Sequence, residues 1–145
     1  MYVMHPMEIY RIDTEVAIII EKAEDFGKGI ADAFVRLAEK LENKGEPRDC
    51  YGLVIKLESG MTYYAGFTEL YEGEAREKEL PSKVIESGHY LSLLVDDWNQ
   101  NILHIGPTFD RLLQSGRVDI SSPCIEFYRT EKELVCMVKS LSYQL

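Results

Sequence analysis

The sequence predicts an α+β fold in which a β-α-β-β module occurs twice. The order strand, helix, strand, strand can be read in each half of the chain. The helical segment Phe34–Leu37 (FVRL) recurs as Phe109–Leu112 (FDRL), and the same offset aligns the apolar run Val16–Ile20 with Leu91–Val95. The four-residue match is weak by itself, and the shared order of elements is the stronger evidence for a duplication.

The first module begins with Met7–Glu21, which reads as one long strand or as two strand pieces in sequence. Its β-branched residues are typical of a central strand. A helix is predicted over 26–41, because apolar residues recur there at helical spacing. Cys50–Glu58 and Met61–Tyr71 then read as the two strands of a hairpin, joined by a turn at Ser59-Gly60.

The second module follows the charged stretch Glu72–Pro81, which lacks apolar periodicity and predicts a surface linker. Lys83–Glu86 and Tyr90–Val95 are strand-like. Apolar residues over 102–113 fit one helical face, and Pro107 predicts that this helix begins or kinks there. The two closing strands are predicted at Pro123–Arg129 and Leu134–Leu141.

Size and charge restrict the domain organisation and the partners. The 145 residues fit one domain, 1–145, with repeats over about 7–71 and 83–145. The net charge is −9, and no cluster of Lys or Arg offers the basic face that direct nucleic-acid binding needs. The apolar runs are far too short to cross a membrane. The three cysteines lack paired spacing, and residues 1–6 lack the features of a signal peptide, so we expect a cytoplasmic protein.

The strand near the C-terminus carries an unusual carboxylate. Side chains alternate between the faces of a strand, so Cys124, Glu126 and Tyr128 share one face while Ile125 and Phe127 share the other. A carboxylate is costly to bury unless a partner compensates it, and that partner can be a ligand. The alternative is that Glu126 points into solvent at a sheet edge.

After a shift of one residue, which brings Cys50 onto Cys124, the internal alignment places Gly52 opposite Glu126 and Tyr51 opposite Ile125. A glycine facing the glutamate would leave room for a small molecule, although close strand packing or a bulge would also require glycine. Aromatic faces stabilise cations, and the aromatic residues chosen as walls of this ligand-binding site are Tyr51, Tyr64, Trp98 and Tyr128. For each of them ordinary packing is the alternative.

Other chemistry finds little support in the sequence. The three histidines are scattered without metal-ligand spacing, and Gly27–Gly29 is too short to cradle a phosphate. Neither a nucleophile elbow nor a Ser-His-Asp order is visible. Asp96-Asp97 predicts an N-cap for the following helix. We therefore assign no metal, no cofactor and no catalytic residue.

Four short motifs resemble the GyrI-like (gyrase-inhibitor-like) effector-binding domain. They are Tyr51-Gly52, Tyr63–Phe67 (YYAGF), Gly88–Tyr90 (GHY) and the Pro-x-Ile-Glu-x-Tyr segment Pro123–Tyr128. Each motif is weak alone, and their order and spacing are fairly specific. The resemblance runs from about residue 7 to residue 141, and it is to the stand-alone members, which carry no attached DNA-binding domain.

This resemblance implies a curved antiparallel sheet with two helices and a ligand held between the two modules. It implies that Glu126 faces the pocket and meets cationic, aromatic ligands. The expected function is therefore a stand-alone binder or sensor of amphipathic, cationic aromatic small molecules, related to multidrug-binding transcription regulators. The first alternative is a small-molecule hydrolase that uses Glu126 as general acid or base, assisted by Tyr51 or Tyr128. The second is a topoisomerase inhibitor that acts by protein–protein contact. The sequence leaves a homodimer open.

Overall fold

A computed structural model describes residues 2–42, 45–58 and 60–141, and it confirms an α+β fold. The chain divides into two compact units. One contains residues up to Thr14 together with those from Ser87 onward, and the other is Glu15–Glu86. The strands are β1 (Glu8–Ile12), β2 (Val16–Lys22), β3 (Cys50–Leu57), β4 (Gly60–Thr68), β5 (Ser82–Ile85), β6 (Gly88–Asp96), β7 (Cys124–Tyr128) and β8 (Glu133–Lys139). The helices are α1 (Lys28–Lys40), α2 (Glu74–Glu77) and α3 (Ile105–Gln114), with 3-10 turns at Trp98–Gln100 and Ile102–His104.

The unit Glu15–Glu86 is an antiparallel sheet in the order β3-β4-β2-β5 with α1 on one face. The periodic apolar residues of α1 point at this sheet, as the sequence predicts. Leu37 packs with Ile19 of β2, and Ala33 packs with Tyr63 and Ala65 of β4. Burial of this apolar stripe holds the helix in place, since an isolated helix of this length is marginal in water.

The unit that begins at Ser87 and includes the N-terminal segment is an antiparallel sheet in the order β1-β6-β8-β7. Phe109 and Leu112 of α3 pack on the sheet beside Leu93 of β6 and Cys136 of β8. Pro107 lies in the first turn of α3, where its missing N–H costs no intrahelical hydrogen bond. The helix therefore begins before the proline.

The segment Met7–Glu21 forms two strands, the second of the two predicted alternatives, and β1 pairs with β6, far away in the sequence. Another part of the chain differs from what the sequence predicts. The predicted surface linker Glu72–Pro81 contains α2, in which Glu74 and Ala75 are buried. The predicted hairpin turn includes Ser59, which lies outside the described residues. The β-α-β-β order itself recurs as β2-α1-β3-β4 and β6-α3-β7-β8. The repeat boundaries 7–71 and 83–145 stay a prediction.

In the described ranges, no helix is long and apolar enough to cross a membrane.

Candidate functional site

The carboxylate of Glu126 is buried in its own sheet, with only 6% of the residue exposed. Strand pairing places Glu126 beside Cys136, and Cys136 beside Leu93. Leu93 and Cys136 pack with α3, so Glu126 lies on the helix-bearing face of this sheet. The alternative that Glu126 points into solvent is therefore wrong.

Tyr128 holds the carboxylate from two residues further along the same strand. Its hydroxyl donates a hydrogen bond of 2.8 Å to Oε1 of Glu126. Strand alternation places both side chains on one face, as the sequence predicts. A hydrogen bond to an ionised acceptor is stronger than a neutral one, so Tyr128 stabilises the charged form of Glu126.

Trp98 meets Tyr128 from the turn that follows β6. The two rings pack edge to face, with centroids 5.0 Å apart and planes inclined at 72°. The indole Nε1 of Trp98 is buried and has no hydrogen-bond partner among the described residues. A buried donor left without a partner costs about 1–3 kcal/mol, so the environment of this N–H is unusual for a folded protein.

Two cysteines share the face of Glu126. Cys136 is fully buried and pairs with Glu126, while Cys124 is half-buried on the same strand as the glutamate. Burial first, and then the negative charge of Glu126, raise the pKa of the Cys136 thiol well above its usual range. Because the thiolate is the reactive form, this shift disfavours Cys136 as a nucleophile.

The other predicted site residues lie in the unit Glu15–Glu86. Gly52 pairs with Ala65, which packs against α1. A side chain at position 52 would therefore lie on the face that α1 covers. Tyr51 and Tyr64 lie on the opposite face of that sheet, Tyr51 buried and Tyr64 half-buried. The ammonium group of Lys83 lies 5.7 Å from the centre of the Tyr64 ring, a cation–π contact that the sequence does not predict.

The structure thus brings together three of the six predicted ligand-binding residues, namely Glu126, Tyr128 and Trp98. The roles of Tyr51, Gly52 and Tyr64 stay predictions.

The predicted N-cap at Asp96-Asp97 is wrong, because Asp97 adopts a left-handed backbone (φ 49°) before a 3-10 turn and its side chain caps nothing. Sequence reasoning also missed the unpartnered indole N–H, since burial of a single atom leaves no trace in the residue pattern.

Comparison with known proteins identifies the fold and not a family. No protein-family model matches the chain, and no curated protein matches it. An integron cassette protein from the mobile metagenome of Vibrio cholerae is similar at 13% identity, covering 94% of this chain and 97% of that chain, with a TM-score of 0.59.

Two further solved structures are similar over nearly their whole length. SAV2435, bound to tetraphenylphosphonium, has 12% identity, covers 95% of this chain and 94% of that chain, and gives a TM-score of 0.58. A candidate transcription regulation protein from Staphylococcus aureus MU50 has 18% identity, covers 95% of this chain and 99% of that chain, and gives a TM-score of 0.53. At these identities the similarity shows a shared fold alone, and membership of the GyrI-like family stays a prediction.

Proposed function

We propose that this protein binds amphipathic, cationic aromatic small molecules as a stand-alone sensor or sequestering protein. The observation that carries the proposal is the buried carboxylate of Glu126, held by the Tyr128 hydroxyl and bordered by the Trp98–Tyr128 ring pair. Removal of a carboxylate from water is costly, and a bound cation would offset part of that cost at Glu126.

The surroundings of Glu126 would strengthen attraction to a cation. Two opposite charges about 4 Å apart attract by about 1 kcal/mol in water and about 4 kcal/mol at the effective dielectric of a protein site. A cationic ligand that displaces water at Glu126 gains this additional attraction, provided that its charge is delocalised and its desolvation costs little free energy. Lipophilic cations with several aromatic rings meet that condition better than small ammonium ions.

The rings beside Glu126 favour the same ligand class. Trp98 and Tyr128 meet edge to face, a geometry in which one ring presents its edge to the face of the other. A cation over an aromatic face gains about 0.5–2 kcal/mol. The similarity of fold to SAV2435, whose structure contains the aromatic cation tetraphenylphosphonium, supports this choice of ligand. The similarity to a candidate transcription regulation protein supports a role in sensing.

Titration with tetraphenylphosphonium tests the proposal. Trp98 is the single tryptophan, so its fluorescence reports the site directly, and calorimetry gives an independent affinity. We expect Glu126→Gln to weaken binding about 10- to 100-fold, because the amide keeps the shape of the side chain and removes the charge. The control Glu131→Gln removes one exposed charge from the β7–β8 turn and should leave the affinity unchanged.

A neutral ligand separates charge from shape. Triphenylphosphine oxide presents similar rings without a net charge, so Glu126→Gln should hardly change its binding. Equal affinity of wild type and Glu126→Gln for tetraphenylphosphonium would contradict the proposal.

Hydrolysis is the second candidate function, and the Tyr128–Glu126 hydrogen bond favours it. A carboxylate paired with a phenol can exchange a proton with a bound water or leaving group. Incubation with small electrophilic esters and epoxides, followed by product analysis, would reveal turnover. Turnover that Glu126→Gln abolishes would establish a hydrolase. Binding of tetraphenylphosphonium without turnover of any of these substrates would support binding as the function and count against hydrolysis.

A further inference from the structure

A hollow lies between the N-terminal segment and the turns that follow β6, and Glu126 is not among its lining residues. Its volume is about 650 Å³, and it is lined by Tyr2, Val3 and His5 and by five of the residues 96–104, Trp98 not among them. This volume falls in the range of small-molecule sites and is far larger than a single metal ion needs. Within the described residues, no group of three His, Cys, Asp or Glu could hold a metal.

The lining of this hollow is polar and negatively charged. Asp96 and Asp97 both contribute to it, and none of the described residues that line it is Lys or Arg. Neither aspartate forms an ion pair with a described residue. Oδ1 of Asp96 accepts a hydrogen bond of 3.1 Å from the backbone N–H of Asp97, and both aspartates are exposed, so the pair can meet a cation from solution.

The amide of Asn101 adds an acceptor to the hollow. Its Nδ2 donates hydrogen bonds to the backbone oxygens of Asp96 and Asp97, at 3.0 and 3.1 Å. Both amide protons are thereby used, and the Oδ1 of Asn101 is the atom left for a ligand. The same two bonds tie down the turn that carries the aspartates, so the acidic wall has a defined shape.

Two aromatic residues that also line the hollow, Tyr2 and His104, already cover one face of each other's ring. Tyr2 and His104 stack in parallel, with ring centroids 3.9 Å apart and planes inclined at 7°. Tyr2 also packs against the core of its unit, so this stack fixes the N-terminal segment beside the turns. The hollow thus offers carboxylates, amides and ring edges to a ligand rather than a broad apolar surface.

We propose that this hollow binds an aliphatic polyamine, with Asp96 and Asp97 as the charged contacts. A flexible chain with several ammonium groups matches a polar, acidic, open site, whereas an aromatic cation would find little apolar surface here. Ammonium groups are donors only, which suits two carboxylates and the Oδ1 of Asn101. This proposal is independent of the one for Glu126, since it rests on other residues and another ligand class.

Calorimetric titration of the full chain with spermidine tests this proposal. We expect saturable binding that Asp97→Asn weakens about three- to fivefold, as for an exposed charge pair, and that Asp96→Asn/Asp97→Asn weakens about tenfold. Asparagine tolerates the left-handed backbone of position 97, so the variant should fold normally. The control Glu39→Gln/Asp110→Asn removes two exposed charges elsewhere and should bind spermidine as wild type does.

Each remaining outcome would overturn the proposal. Absence of saturable binding, or an equal loss in the control, would show only non-specific attraction to an acidic protein. Loss of spermidine binding in Glu126→Gln with full binding in Asp96→Asn/Asp97→Asn would assign the polyamine to the other site. Displacement of spermidine by an equal concentration of Mg²⁺ would show that the hollow attracts cations in general and does not select a polyamine.

Discussion

Arg48→Met is expected to lower the free energy of unfolding by about 3–5 kcal/mol. The Arg48 guanidinium donates to both oxygens of Glu74, at 2.8 and 2.7 Å, and their side chains are only 2% and 1% exposed. Methionine fills much of the same space but leaves the Glu74 carboxylate buried without its main partner. Urea unfolding followed by circular dichroism measures the loss.

The other partners of Glu74 supply the control for this variant. Lys78 also reaches the carboxylate, at 2.5 Å, but a third of its side chain is exposed. Lys78→Met should therefore cost less than about 1 kcal/mol, in the range of surface ion pairs. A similar cost for Arg48→Met and Lys78→Met would show that burial of the Arg48–Glu74 pair does not determine its strength.

Acid titration gives the same network a second readout. The hydrogen bonds from Arg48, followed by those from Lys78 and the backbone N–H of Leu70, outweigh burial and lower the pKa of Glu74 from 4.5 to about 2. Because the folded state holds the lower pKa, this stabilisation is complete above pH 4.5 and is lost as the pH falls towards 2. The shift corresponds to about 3 kcal/mol. In Arg48→Met the stability should fall less steeply over this interval.

The two buried glutamates illustrate what a sequence can and cannot reveal. Glu126 interrupts an apolar strand, so its face and its proximity to Tyr128 follow from local alternation, and both are confirmed. Glu74 lies in a charged stretch that resembles a surface linker, and its partner Arg48 is distant in the sequence. Its burial depends on tertiary contacts, for which the local pattern carries no information.

Strand pairing shows the same limit. The pairing of β3 with β4 is local, and the sequence predicts it correctly because the two strand-like runs lie next to each other in the chain. The pairing of β1 with β6 joins residues near the N-terminus to residues in the second half of the chain. The apolar pattern of a strand indicates which of its faces is buried, but it does not indicate which other strand lies beside it. Any strand that pairs in a suitable register would bury the same face. The burial of the Trp98 Nε1 without a hydrogen-bond partner in the described part of the chain likewise emerges only from packing.

Leu37→Ala and Leu112→Ala are each expected to cost about 2.7–5 kcal/mol of stability, measured by denaturant unfolding. The two leucines are the fourth residues of the matched segments FVRL and FDRL, and both are 0% exposed. Each fixes one helix to its own sheet, so each truncation leaves a cavity in a separate core. Similar costs would support the duplication that the motif match suggests.

Exposed positions in the same segments provide the matched controls for the two leucine variants. Val35→Ala and Asp110→Ala change the residue after each segment's phenylalanine, where both side chains face solvent. They should shift stability by no more than about 0.5 kcal/mol. A large cost at Leu37 with a small one at Leu112, or the reverse, would argue that the repeated letters do not mark equivalent positions. The resemblance between the two modules would then extend to the order of their elements and no further.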